Sequence, residues 1–374
     1  MKYTIEMSKI IEGALKYDRV KVVNYTQMLI DKLQTEGEQR SAVRFKKILE
    51  SAESHNLQPM GLDKVSALPV DNESRTMLAD VVYPDDNHIE VILSQNNADK
   101  LASFLLNYRH AEKLYAAGIS LVNTLLMYGP PGCGKTKCAY FIAKQLNMPL
   151  VIARLDSLIS SYLGTTAKNI RSLFEFVQKM PCVLFLDEFD AIAKARDDNN
   201  ELGELKRVVN SLLQNIDLMS KDSIVIAATN HQHLLDPAVW RRFEYKLEIG
   251  LPDATAIKQM IQLFSHQHVT FDEKTLDEFV AAFAGLSGAN IEAIMNKAVR
   301  FVVVHDLPLS KSQIYQELFV FKNVVPDEAT TNKQALVFKA KFLRGCDSKL
   351  FSLQTIANIL DCSKTTIQKI LSED

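Results

Sequence analysis

The spacing of apolar residues changes twice along the chain. From Met1 to about Ser54 there is no proline and apolar positions recur at helical spacing (Val22, Leu29, Leu33, then Ala42, Phe45, Ile48), which predicts two or three amphipathic helices. From 55 to 87, Pro59, Pro69 and Pro84 with scattered Asp, Asn and Ser break any period, and the segment reads as a linker. Beyond it, short apolar runs alternate with helical patterns: Leu125–Tyr128, Leu150–Leu155, Val183–Leu186, Ile224–Ala228 and Tyr245–Ile249. Short runs that stay apolar without alternating are strands buried on both faces, so the expected fold is α/β, a parallel sheet with helices on both sides. After Leu251-Pro252-Asp253 the strand signal stops and helical spacing continues to about Phe321. The expected organisation is a helical region 1–54, a linker 55–87, an α/β domain 88–250, a small helical domain 251–330 and a further helical unit 331–374.

Two motifs bring chemistry to this frame. Gly129-Pro130-Pro131-Gly132-Cys133-Gly134-Lys135-Thr136 matches the phosphate-loop pattern G-x-x-x-x-G-K-[ST], and it follows a strand and precedes a helix. Glycines let consecutive N–H groups wrap a phosphate chain, and the helix that follows adds its positive end. Lys135 is expected to reach the β- and γ-phosphates of ATP, Thr136 to give a hydroxyl to Mg2+, and Lys137 to complete the cradle. The second motif is Cys182–Asp190, an apolar strand ending in paired acids. Asp187 is placed for the magnesium shell, and Glu188 to polarise a water for attack on the γ-phosphate.

At these residues the sequence resembles the AAA family of ATPases, over roughly Asn87 to Val325. The resemblance implies a P-loop fold, Mg2+-dependent ATP hydrolysis and a homo-oligomeric ring, expected to be a hexamer, that works on a protein substrate. Ser223–Asn230 looks like the sensor-1 strand, which gives Asn230 a contact with the γ-phosphate and the attacking water. Leu234–Asp253 is similar to the arginine-finger segment: Arg241 and Arg242 stand at or near the finger positions that reach a neighbour's nucleotide, and Arg242 is favoured. The residues that commonly separate two fingers are missing. Gly285–Val299 resembles the lid helix near the nucleotide, with Gly288 and Ala289 at the motif positions and no arginine beside them. Ser160–Val177 resembles the pore loop, in which Tyr162, Leu163 and Gly164 would grip a substrate chain through sequence-tolerant aromatic contact. Lys194–Asn215 is either a second channel loop or a solvated surface loop.

Composition narrows the partners. Lys plus Arg number 43 against 45 Asp plus Glu, so no global charge draws the chain to nucleic acid or anionic lipid, and such binding has to be local. The five cysteines form no CxxC pair, and no stretch of about 18 apolar residues occurs, which points to a reducing cytoplasm without membrane insertion. The tail Ser352–Leu371 resembles a helix-turn-helix, with Asp361 at the turn position where glycine is usual. Its second helix would present Lys364, Thr365, Thr366, Gln368 and Lys369, in a segment where seven basic residues outnumber four acidic ones. The leading expectation is a protein remodeller. The alternatives are a DNA-associated motor or regulator anchored by the tail, with a partner effector such as a protease, and a scaffold whose ATP site only controls assembly.

Overall fold

The computed structural model describes residues 3–15, 19–53, 68–71, 75–83, 90–158, 163–193, 202–266, 268–326 and 331–372. The chain divides into two compact units. The first comprises Met1–Val91, Asp99–Gly129 and Lys135–Glu248; the second comprises Ile92–Ala98, Pro130–Gly134 and Ile249–Asp374.

The first unit opens with helices α1 (Thr4–Leu15), α2 (Arg19–Thr35) and α3 (Gln39–Glu53). They bury Leu29, Ile30, Leu33 and Ala42 as a small core of their own, joined by Ile10, Phe45 and Leu49. Lys9 on α1 pairs with Asp222 at 3.2 Å, which ties these helices to the α/β body. The body follows as β1 (Ala79–Val82), α4 (Gln95–Arg109), α5 (Ala111–Ala116), β2 (Thr124–Tyr128), α6 (Lys135–Leu146), β3 (Leu150–Ala153), α7 (Leu155–Leu158), α8 (Leu163–Val177), β4 (Val183–Leu186), α9 (Asp190–Ala193), α10 (Leu202–Asp217), β5 (Ile224–Thr229), α11 (Pro237–Arg242) and β6 (Tyr245–Glu248). The sheet order is β1-β3-β4-β5-β2-β6, parallel except for β1. Leu126, Leu184, Leu186, Val225 and Ala227 pack into one core with Ile170, Phe174, Val208 and Leu212 of α8 and α10. Their alternating neighbours Leu125, Met127, Val183, Phe185, Ile224 and Ile226 are equally buried, so both faces of the sheet are covered.

The segment read as a linker holds more structure than its composition suggested. Residues 79–82 pair antiparallel with β3, Val70 bridges Met77, and Leu78 is fully buried. A four-residue edge strand beside prolines carries too little periodicity to stand out, and its pairing with β3, some seventy residues on, supplies what the local sequence lacks.

The second unit is helical: α12 (Ala254–Phe264), α13 (Glu273–Phe283), α14 (Gly288–Val304), α15 (Lys311–Phe321), α16 (Asn332–Cys346), α17 (Leu353–Ile359) and α18 (Lys364–Ser372). Each starts behind an oxygen-bearing cap (Asp253, Asp272, Ser287, Ser310, Thr331, Ser352 and Ser363) that accepts a first-turn N–H at 2.8–3.3 Å. Such caps satisfy donors that the helix itself leaves open, which is why the starts are sharp. One continuous core runs from Ile257 on α12 through Tyr315 and Phe351 to Ile370 on α18, so the tail helices share their core with those that precede them.

Candidate functional site

Three neighbouring parallel strands deliver the motif residues of the first unit. The register pairs Leu186 with Ala227 and Tyr128 with Thr229, so β4, β5 and β2 end side by side and release Asp187-Glu188, Asn230 and Gly129 at the same edge. In open α/β sheets this carboxyl edge is where ligands bind. Lys135, the first residue of α6, is buried and donates from Nζ to the Gly129 carbonyl at 2.8 Å. Thr136 Oγ1 donates to Asp187 Oδ2 at 3.0 Å, which brings two hard oxygen atoms together. Lys137 is exposed.

Glu188 has φ +49°, the left-handed region that a residue with a β-carbon enters at a cost of about 1–2 kcal/mol. Three bonds impose the conformation: Glu188 N–H to Asp187 Oδ1 at 2.9 Å, Phe189 N–H to Ala228 O at 2.8 Å, and Ala191 N–H to Glu188 O at 2.8 Å. The strain therefore sits at the acid the sequence singles out, and leaves its side chain exposed at the strand end. Thr229 Oγ1 donates to Asp190 Oδ1 at 2.5 Å and accepts His231 N–H at 2.9 Å, a lock between the two strand ends that sequence reasoning missed. The buried Asn230 Oδ1 has no hydrogen-bond partner among the described residues. An orphaned buried acceptor is costly unless a ligand or water fills its valence, so Asn230 fits a nucleotide-bearing edge.

Arg241 and Arg242 close α11, which starts behind the Asp236 cap. Both are exposed, but Arg242 pairs with Asp217 at 3.2 Å, whereas Arg241 makes no ion pair among the described residues. The sequence reading favoured Arg242; the geometry leaves Arg241 as the uncommitted cation. Asp217 carries no motif and could not have been read in advance as its partner.

The second unit holds the tip of the phosphate loop. Gly132 has φ +72°, and a β-carbon there would stand 2.8 Å from Ser287 Oγ and 3.2 Å from the Ala289 β-carbon. Its carbonyl accepts Ala289 N–H at 2.9 Å. Gly288 is less crowded, with the flexible Met260 Cε 3.3 Å from where its β-carbon would lie. The lid motif residues Gly288 and Ala289 thus touch the loop tip directly, and Ser287, which the sequence reading did not single out, completes the contact. Pro130 and Pro131 are exposed, whereas Cys133 is buried. Tyr162 lies outside the described residues, as do 194–201; Leu163 and Gly164 form the first two positions of α8. Among the described residues no group of three or more His, Cys, Asp or Glu could hold a metal ion, and no helix is long and apolar enough to cross a membrane.

An AAA family ATPase of Sinorhizobium fredii is 39% identical over 280 residues, which is 74% of this chain and 83% of the relative. The chain belongs to the AAA family of ATPases. The model of the ATPase family associated with various cellular activities matches residues 125–251, which span the loop, the acidic strand, Asn230 and both arginines. This AAA chain is also similar to a 26S proteasome regulatory subunit homolog of Methanocaldococcus jannaschii (32% identity over 219 residues, 58% of each chain). An ATP-dependent zinc metalloprotease FtsH of Sphaerobacter thermophilus is 32% identical over 205 residues, 54% of this chain and 42% of the relative. The chain therefore spans less than two thirds of these last two proteins. As an AAA ATPase it binds nucleotide and hydrolyses ATP.

Proposed function

We propose that this AAA ATPase assembles into a ring, expected to be a hexamer, and uses magnesium-dependent ATP hydrolysis to remodel or translocate a protein substrate through the ring's centre. The observation that carries the reading is the left-handed Glu188 beside the orphaned Asn230 Oδ1 at adjoining strand ends, an arrangement suited to hydrolysis rather than to nucleotide binding alone. The names of the relatives, a proteasome regulatory subunit homolog and an ATP-dependent protease, support a protein as substrate.

In this reading the N–H groups of Gly129–Thr136 hold the phosphates, and Lys135 exchanges the Gly129 carbonyl for the β- and γ-oxygens. Thr136 and Asp187, already hydrogen-bonded, would hold magnesium together with phosphate oxygens; two protein oxygens suit an ion that arrives with its nucleotide. When bound, the ion neutralises charge on the phosphate oxygens. Glu188 takes the proton of the attacking water, and Asn230 orients that water and the γ-phosphate. Arg241, which makes no ion pair among the described residues, is the better candidate for insertion beside a neighbour's nucleotide, where an arginine finger contributes roughly 10³–10⁵ in rate. Tyr162, Leu163 and Gly164 are proposed to grip the substrate, and the organisation proposed is residues 88–250 as engine, 251–330 as lid, and 1–54 with 331–374 as recruiting elements.

The Glu188→Gln variant tests the hydrolytic reading: it should keep ATP affinity and stabilise the assembly while turnover is lost. Normal turnover would remove Glu188 from the role. Tyr162→Ala should leave basal ATPase intact and uncouple substrate processing; unchanged processing would sink the pore assignment.

A further inference from the structure

The tail of the second unit carries a surface that ATP hydrolysis does not use. Helix α17 ends at Ile359, and Asp361 takes φ +54° in the turn before α18. Cys362 N–H bonds to Ala357 O at 3.0 Å, and Ser363 Oγ caps the new helix at Thr366 N–H, 3.1 Å away. Ile356, Ala357, Leu360, Ile367 and Ile370 are buried in the core shared with α12–α16. This is the helix-turn-helix arrangement: a tight turn through a left-handed residue, small Ala357 at the helix crossing, and apolar residues on the inner faces of both helices.

At about 100° per residue the outward arc of α18 spans roughly 140° and runs Lys364, Gln368, Ser372, Thr365, Lys369. Lys364, Thr365, Gln368 and Lys369 are all exposed. The cations stand at the two borders of the arc and the neutral hydrogen-bonding groups between them. No carboxylate occurs from Cys362 to Ser372. The side chains of Lys364, Gln368 and Lys369 make no hydrogen bond or ion pair among the described residues, and Thr365 shares its hydroxyl with Ser363 at 2.7 Å. Since Ile367 and Ile370 already supply the packing, these outward side chains have no structural task in the unit. Thr366, half-buried and bound to the cap, belongs to the inner side.

We propose that α18 is a docking helix for double-stranded DNA. Bordering lysines match the phosphates on either side of a groove, and a central Gln and Thr match the edge chemistry read there, Gln with adenine and Thr with the thymine methyl.

The test is fluorescence anisotropy of the full chain with a labelled mixed-sequence duplex across a salt series. Each phosphate contact contributes about 0.9 to the slope of log affinity against log salt, so Lys364→Ala with Lys369→Ala should flatten it by about 1.8. Between about 50 and 200 mM salt the double variant should then lose about twelvefold less affinity than the parent chain. Thr365→Ala and Gln368→Ala should keep the slope and weaken discrimination between duplexes. Both lysines are exposed, so an unchanged melting temperature confirms that the variants remain folded. Helix α3 supplies the competing surface, since Arg40, Arg44, Lys46 and Lys47 are exposed and form no ion pair among the described residues. No salt-dependent binding of the duplex, an unchanged slope in the lysine variant, or loss of binding in Arg44→Ala with Lys47→Ala instead would overturn the assignment. Competition by polyglutamate as strong as by DNA would reassign the face to an acidic protein.

Discussion

Replacing Gly132 by alanine probes the contact between the phosphate loop and the start of α14. Two penalties are separable. The left-handed backbone at φ +72° costs alanine about 1–2 kcal/mol relative to glycine. The added carbon would also lie 2.8 Å from Ser287 Oγ, so either the loop tip or α14 must shift and the Ala289 N–H to Gly132 O bond weakens, a further loss of about 1 kcal/mol. Gly132→Ala should therefore weaken ATP binding by about 2–3 kcal/mol, or roughly 30- to 150-fold. Ser287→Ala removes the obstructing oxygen but also the α14 cap, and costs about 1 kcal/mol of unfolding stability on its own. In the double variant the nearest atoms recede to the Ala289 β-carbon at 3.2 Å and the residue-287 β-carbon at 3.4 Å, so the steric part is recovered and the backbone part is not. A double-mutant cycle on fluorescent-nucleotide affinity should show a favourable coupling of about 1 kcal/mol. Additive effects, within about 0.3 kcal/mol, would refute the close approach of loop and lid helix.

Arg241→Ala should lower turnover at least tenfold without changing ATP affinity, whereas Arg242→Ala should be milder because that guanidinium is engaged with Asp217; steady-state ATPase rates and nucleotide titrations of the two variants decide it. Tyr315 is fully buried and its hydroxyl has no partner among the described residues, so Tyr315→Phe should raise stability by about 1 kcal/mol, read as a melting shift of a few degrees; a lower melting temperature would mean that the hydroxyl has a partner. Burial pushes the Cys138 and Cys182 thiols up to about 12 from an ordinary value of 9.0, the Ser223 hydroxyl pulling the second slightly back. Both stay neutral when folded and ionise when unfolded, so their stabilisation is complete below about pH 9 and is lost towards pH 12, with a slope of up to about 1.4 kcal/mol per pH unit for each. Urea unfolding at stepped alkaline pH should show a shallower fall for Cys138→Ala, and alkylation near pH 8 should spare both thiols until the chain unfolds.

Much of the candidate nucleotide site was legible in the sequence because its parts are local. Gly129–Thr136 must follow a strand and open a helix to present N–H groups to phosphate, and Asp187 and Glu188 must end an apolar strand, so type and spacing identify them before any contact is known. Five parallel strands were readable for the same reason, since the apolar period acts within a few residues. Long-range pairing decided the rest. Strand β1 exists through its ladder with β3, the Arg242–Asp217 pair joins α11 to the end of α10, and the Thr229–Asp190 lock needs β4 and β5 side by side. The crowding of Gly132 by Ser287 joins residues 155 positions apart, and the merging of α16–α18 with the lid core was invisible because an apolar helix face names no partner. Local chemistry is written in spacing, whereas the choice among many equally apolar or equally charged partners is made only when the whole chain has packed.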